Sequence, residues 1–141
     1  MTTAGPEVTG EAFDDSDVVD CYRHRPPYPA ALIEALAGLA VDRTAVLDLG
    51  CGPGKLAGPL AAHFERVEAV DPSEPMLSVA RADHPAANIR WIAAPAETAP
   101  WRGPFGLAVG GASLHWMDPA ALFPRLFVDL TPGAPVAQSL R

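Results

Sequence analysis

The sequence predicts an α/β fold built on a doubly wound, mostly parallel sheet. Three observations point there. Apolar runs of strand length alternate with helical stretches, the pattern of repeated β-α-β units. One run, AVLDL at 45–49, passes directly into Gly50-Cys51-Gly52-Pro53-Gly54 and then into a helical pattern, as in Rossmann-like folds. The length, 141 residues, suits one domain. The 12 Gly and 16 Pro predict short, often interrupted elements.

Residues 1–20 read as an acidic, solvated and disordered tail. Glu7, Glu11, Asp14, Asp15, Asp17 and Asp20 occur there with no base and few large apolar residues. The domain is then 21–141. Its lead-in, YRHRPPYP at 22–29, is kept extended by Pro26, Pro27 and Pro29. A helix follows over 30–39, with Leu32, Ile33, Leu36 and Leu39 on one face. The buried strand 45–49 comes next. Residues 55–64 are helical, with Leu56, Leu60 and Phe64 in register, and Pro59 either kinks this helix or delays its start. A second strand, 67–70, ends at Asp71-Pro72. A short helix over 74–82 leads to a third strand at 89–93 and a loop at 95–104. The fourth strand lies within 105–114 and is weakened by Gly110 and Gly111. Asp118 and Pro119 start the last helix as N-cap and first residue. Leu122, Phe123, Leu126, Phe127 and Leu130 mark its buried face. Residues 135–141 leave at most a fragmentary fifth strand.

Ten basic against 17 acidic residues, a net charge of −7, argue against a nucleic-acid partner. No run of 18 apolar residues offers a membrane span, and the N-terminus lacks the pattern of a signal peptide. Cys21 and Cys51 form no CxxC, so the expected setting is reduced and cytoplasmic. His24, His63, His84 and His115 are scattered without paired spacing, and no protein-bound metal is expected. Arg23, His24, His63 and His84 read as surface.

VLDLGCGPGKL, Val46 to Leu56, carries the chemistry. A strand that enters a glycine-rich turn before a helix is a ligand cradle, because glycine lets the backbone approach a ligand closely. Leu49 and Leu56 stand where a P-loop needs Gly and Ser or Thr. The spacing of Gly50, Gly52 and Gly54 is GxGxG rather than the GxGxxG of a dinucleotide loop, and Pro53 removes an amide donor. Asp48, two residues before Gly50, repels a diphosphate and attracts an ammonium or sulfonium ion. A cationic amino-acid nucleoside such as S-adenosylmethionine (SAM) fits these features. Asp71, at the end of the next strand and 21 positions after Gly50, stands where a carboxylate grips a ribose diol. Taken alone it reads better as a helix cap, and the loop at that spacing turns the reading to ribose binding. Met76 is either a cover for one adenine face or ordinary core.

Six segments in order are similar to those of class I SAM-dependent methyltransferases of the "type 11" kind, from about Tyr22 to Gly133. They are YRHRPPYP, VLDLGCGPGKL, VEAVDPSEPML, PAETAPW, ASLHWMD and LTPG. The resemblance implies that Asp48 and the backbone of Gly50, Cys51 and Gly52 hold the methionine portion of SAM. It implies that Asp71 binds the ribose hydroxyls, that Pro72 and Met76 border the adenine, and that Ala96 and Glu97 lie on its other side. Tyr22 and Arg25 would close over the methionine end. His115 and Trp116 would face the reacting methyl, with His115 the candidate general base.

The family's sheet has seven strands in the order 3-2-1-4-5-7-6. The expectation for this chain is an incomplete version with four or five strands and without the last ones. The family pattern is also broken at Pro59, Pro95, Gly106, Gly110 and Gly111. A poorly covered sheet edge invites self-association. The resemblance thus implies methyl transfer from SAM to a small-molecule acceptor. The alternative is a truncated, non-catalytic remnant that only binds SAM, its product S-adenosylhomocysteine (SAH), or a partner chain.

Overall fold

A computed structural model describes residues 16–111 and 114–138. Its elements run α1 (Ser16–Arg23), α2 (Ala30–Gly38), β1 (Ala45–Leu49), α3 (Ala57–Leu60), β2 (Arg66–Asp71), α4 (Glu74–Asp83), β3 (Ile89–Ala93), β4 (Leu107–Gly110), a single 3₁₀ turn (Leu114–Trp116), α5 (Pro119–Asp129) and β5 (Val136–Gln138). The five strands form one sheet in the order β3-β2-β1-β4-β5, with every pairing parallel.

Alternation along β1 builds a core on each face, because successive side chains of a strand point to opposite sides. Val46 joins Ile33, Leu36, Leu60, Val67 and Leu77 on one face. Leu47 and Leu49 join Val70, Phe105, Leu122 and Leu126 on the other. All five residues of β1 are buried. Helices cover both faces, as a parallel sheet requires.

Several elements differ from the sequence expectation. Residues 16–20, expected at the end of the tail, belong to α1, and Val19 in it is buried. A local apolar pair gives little signal, and the helix is held by tertiary contacts described below. Residues 1–15 lie outside the described residues. Helix α3 is one turn, shorter than expected, and Pro59 lies within it; proline cannot donate to a helical ladder. The weak C-terminal stretch does form a strand, β5, paired through three residues with β4.

Helix α5 starts as expected: Asp118 Oδ1 accepts from the Ala120 N–H at 3.0 Å. Its buried face is narrower than expected. Leu122 and Leu126 pack on the sheet, but Phe123 is half exposed and Phe127 is 87% exposed. The row Phe123–Phe127 is offset about 100° from Leu122–Leu126, as 3.6 residues per turn dictates. One row meets the sheet and the other faces outward. Two departures from the family pattern have a steric cause. A Cβ on Gly106 would stand 2.4 Å from the Asp42 carbonyl oxygen, and one on Gly111 would stand 2.9 Å from Tyr28 Oη.

Candidate cofactor site

Strand β1 pairs with β2 on one side and β4 on the other, so strand order reverses at its carboxyl end. That crevice is where open α/β sheets bind ligands. Gly50, Gly52 and Gly54 sit there at φ 65°, 53° and 86°, in the left-handed region that costs glycine nothing. A Cβ on Gly52 would meet nothing within 4 Å, so the loop presents open backbone at that point. The Cys51 N–H donates to the Val70 carbonyl at 2.9 Å, which carries the β1–β2 pairing into the loop.

Asp71 braces the site. Its Oδ2 accepts from the Gly52 N–H and its Oδ1 from the Ser73 N–H, each at 2.9 Å. One carboxylate thereby fixes the loops after β1 and β2 together. The cap of α4 is Ser73, whose Oγ accepts from the Met76 N–H at 3.2 Å. Cap and brace are thus divided between two residues.

Asp48 is 1% exposed, and among the described residues neither carboxylate oxygen has a partner at full hydrogen-bond geometry. Burial, then the nearby Asp71 charge, push its pKa up to about 8, against a smaller opposing pull from the Ala57 N–H. Glu68 offers the contrast. It is 4% exposed, yet it accepts from Arg66, Arg90 and the Arg102 N–H at 3.2, 3.0 and 2.8 Å. Buried polar groups are normally satisfied, so Glu68 reads as structural and Asp48 as built for a donor or a cation. Cys51 is buried too. Its thiol is pushed well above the ordinary value by burial and by Asp48 and Asp71, so it stays protonated and unreactive.

The other expected site residues divide as follows. Pro72 is exposed beside Asp71, and Met76 is buried in the first turn of α4. Ala96 is buried in the core on the α5 face. Glu97 serves as a clasp: its Oε2 accepts from the Asp118 N–H at 2.8 Å and ties the loop after β3 to the start of α5. Arg25 is exposed within the lead-in, two residues after α1 ends, and Trp116 is 46% exposed in the 3₁₀ turn. The backbone of Tyr22 lies in α1 and that of His115 in the 3₁₀ turn, while their side chains lie outside the described residues.

Three contributors carried no sequence signal. Arg125 of α5 donates to the carbonyls of Ala96, at 2.7 Å, and Ala99, and stacks 3.8 Å from the Trp101 ring centroid. It thereby holds the loop after β3. His84, expected on the surface, is half-buried against the glycine loop. A Cβ on Gly54 would stand 2.8 Å from its Cδ2, and one on Gly58 2.1 Å from its Nδ1. Lys55 reaches back to the lead-in segment. Among the described residues no group of three or more His, Cys, Asp or Glu is placed to hold a metal. No described helix is long and apolar enough to cross a membrane.

Comparison with known proteins agrees with this geometry. Residues 46–133 match the family model of the methyltransferase domain. The chain is 38% identical over 118 residues to a trans-aconitate 2-methyltransferase of Delftia acidovorans, covering 77% of this chain and 42% of that one. A protein of Anaeromyxobacter dehalogenans assigned as a type II methyltransferase superposes with a TM-score of 0.72 at 35% identity, over 80% of this chain and 48% of that one. Magnesium protoporphyrin IX methyltransferase from Synechocystis with bound SAM shares the fold, with a TM-score of 0.66 at 16% identity, over 92% and 73% of the two chains. The chain thus spans less than half the length of the first two. With its parallel sheet, glycine loop and matched segment, the chain belongs to the methyltransferase-domain family.

Proposed function

We propose that this chain binds SAM and directs its methyl group to a small-molecule acceptor. The observation that carries the proposal is Asp48: a buried carboxyl without a partner, set beneath a glycine loop that leaves backbone open at Gly52. A cationic ligand would satisfy it. When bound, SAM supplies a methyl already activated on a sulfonium sulfur, so the protein's task is alignment.

The residues divide that task. Asp48 and the backbone of Gly50, Cys51 and Gly52 hold the methionine portion. Asp71, held at the end of β2 beside the glycine loop, binds the ribose hydroxyls as a bidentate carboxylate. Pro72 and Met76 border the adenine on one side and Ala96 on the other. Glu97 shapes that border through its bond to Asp118. Tyr22 and Arg25 flank the methionine end. His115 and Trp116 face the methyl, with His115 the candidate base for an acceptor that must lose a proton. The setting is cytoplasmic, and the net charge of −7 disfavours a nucleic-acid acceptor.

Support for SAM comes also from the structural neighbour that holds it, and support for a small acceptor from the names of that neighbour and of the Delftia relative. In a second reading this segment binds SAM, SAH or a partner chain without transferring methyl. Calorimetric titration with SAH, followed by radiolabelled methyl transfer over a panel of small acceptors, separates the two. Binding with turnover supports the enzyme and binding without turnover the second reading. No binding overturns both cofactor readings.

A further inference from the structure

Lys55 follows the glycine loop directly, and its Nζ donates to two main-chain carbonyls, those of Arg23 and Arg25, each at 2.7 Å. Arg23 is the last residue of α1, so its carbonyl is one of the acceptors a helix leaves unsatisfied at its end. A cation there also complements the helix dipole. On its other flank α1 is tied to the last residue of α4: Arg23 Nε and Nη2 donate to Asp83 Oδ2 and Oδ1 at 3.0 and 2.7 Å. Val19 is buried beneath the helix. The Arg23–Asp83 pair is largely solvent-exposed, where such pairs contribute little. The Lys55 contact differs in kind. Both its partners are backbone, so it fixes the path of residues 23–25 rather than neutralising a charge.

We propose that Lys55 is a positioning residue for the cofactor site, coupling the glycine loop to the segment that carries Tyr22 and Arg25 and so slowing the escape of bound SAM. This rests on the SAM reading above. The glycine loop is the rigid partner, braced by Asp71 and by the Cys51–Val70 bond. The lead-in leaves α1 at Arg23, and Lys55 grips it from the loop through the Arg23 and Arg25 carbonyls. With Lys55 in place, ordering the loop orders the lead-in.

The test is hydrogen exchange by mass spectrometry on the full chain, comparing wild type, Lys55→Met and Lys55→Arg, with SAH dissociation measured by stopped flow. In ligand-free Lys55→Met, amides of residues 16–25 exchange roughly tenfold faster while those of β1 and β2 keep wild-type protection. SAH leaves roughly tenfold faster from the same variant. Arginine can donate to both carbonyls, so Lys55→Arg stays near wild type in both readouts. Unchanged exchange in Lys55→Met overturns the clasp. Faster exchange with unchanged SAH dissociation overturns the positioning role. If wild type binds no SAH while the exchange difference is present, the SAM reading fails and the positioning role with it.

Discussion

Asp48 and Asp71 stand at the carboxyl ends of adjacent parallel strands with opposite hydrogen-bond status. Asp71 accepts from the backbone N–H groups of Gly52 and Ser73, whereas both oxygens of Asp48 are buried and, among the described residues, without a full hydrogen bond. The Asp71 charge adds to the burial that raises the Asp48 pKa to about 8. One carboxylate builds the site, and the other is left for what enters it.

The Asp48 shift predicts a pH dependence of folding. Its folded pKa lies above the ordinary carboxyl value of 3.8, so the folded state binds the extra proton between about pH 4 and 8. From this group, stability falls as pH rises through that window. Asp48→Asn removes the effect, and the ligand-free variant is more stable than wild type at pH 8 by up to several kcal/mol. Its SAH affinity falls. Urea titrations at pH 5 and pH 8 with both proteins read the first effect, and calorimetry reads the second.

Asp71→Ala removes the acceptor of both loop amides. Affinity for SAH drops by at least about tenfold, and the glycine loop loses its brace at a cost of about 1–3 kcal/mol. An unchanged dissociation constant refutes the ribose role.

The close approach of His84 to the glycine loop predicts a coupled pair. Gly58→Ala places a Cβ against the imidazole and destabilises the chain by about 1–3 kcal/mol. His84→Ala in the same background recovers part of that loss, a coupling that a double-mutant cycle measures. The pKa of His84 is lowered, chiefly by burial. The unfolded chain therefore takes up its proton first, and stability from this residue declines as pH falls below about 6.5.

Arg125→Leu removes two hydrogen bonds to loop carbonyls and the stacking on Trp101. The expected cost is about 2–4 kcal/mol in thermal or chemical unfolding. The amides of residues 96–101 also lose exchange protection. Arg125→Lys recovers only part, because a point charge cannot replace the planar fork.

Phe127→Glu tests the outward face of α5. Phe127 is 87% and Val128 77% exposed, forming an apolar outer edge of the helix, so the substitution changes monomer stability little. If the chain self-associates through this edge, its sedimentation is concentration-dependent and Phe127→Glu abolishes that dependence. Wild type that stays monomeric at high concentration rules the association out.

Much of this protein is legible in short stretches of sequence. The strand Ala45–Leu49, the GxGxG spacing that follows it, and Asp71 at the next strand end are local patterns fixed by chain chemistry. So is the N-cap at Asp118. The division of labour at the site was not legible. Asp48 and Glu68 are both acids within buried strands, and only the folded chain supplies arginines to one and none to the other. Helix α1 and the outward row Phe123–Phe127 depart from the sequence pattern because burial depends on what lies opposite, which no periodicity encodes.

The sequence by itself determined the order of the elements, the cradle and the acids beside it, because backbone geometry and strand or helix period are local properties. Tertiary structure decided which side chains hold the cradle's surroundings. Lys55 finds carbonyls 30 and 32 residues away, and Arg125 finds one at a separation of 29. Contacts over such separations are set by how the helices pack on the sheet, and they leave no trace in the spacing of residues along the chain.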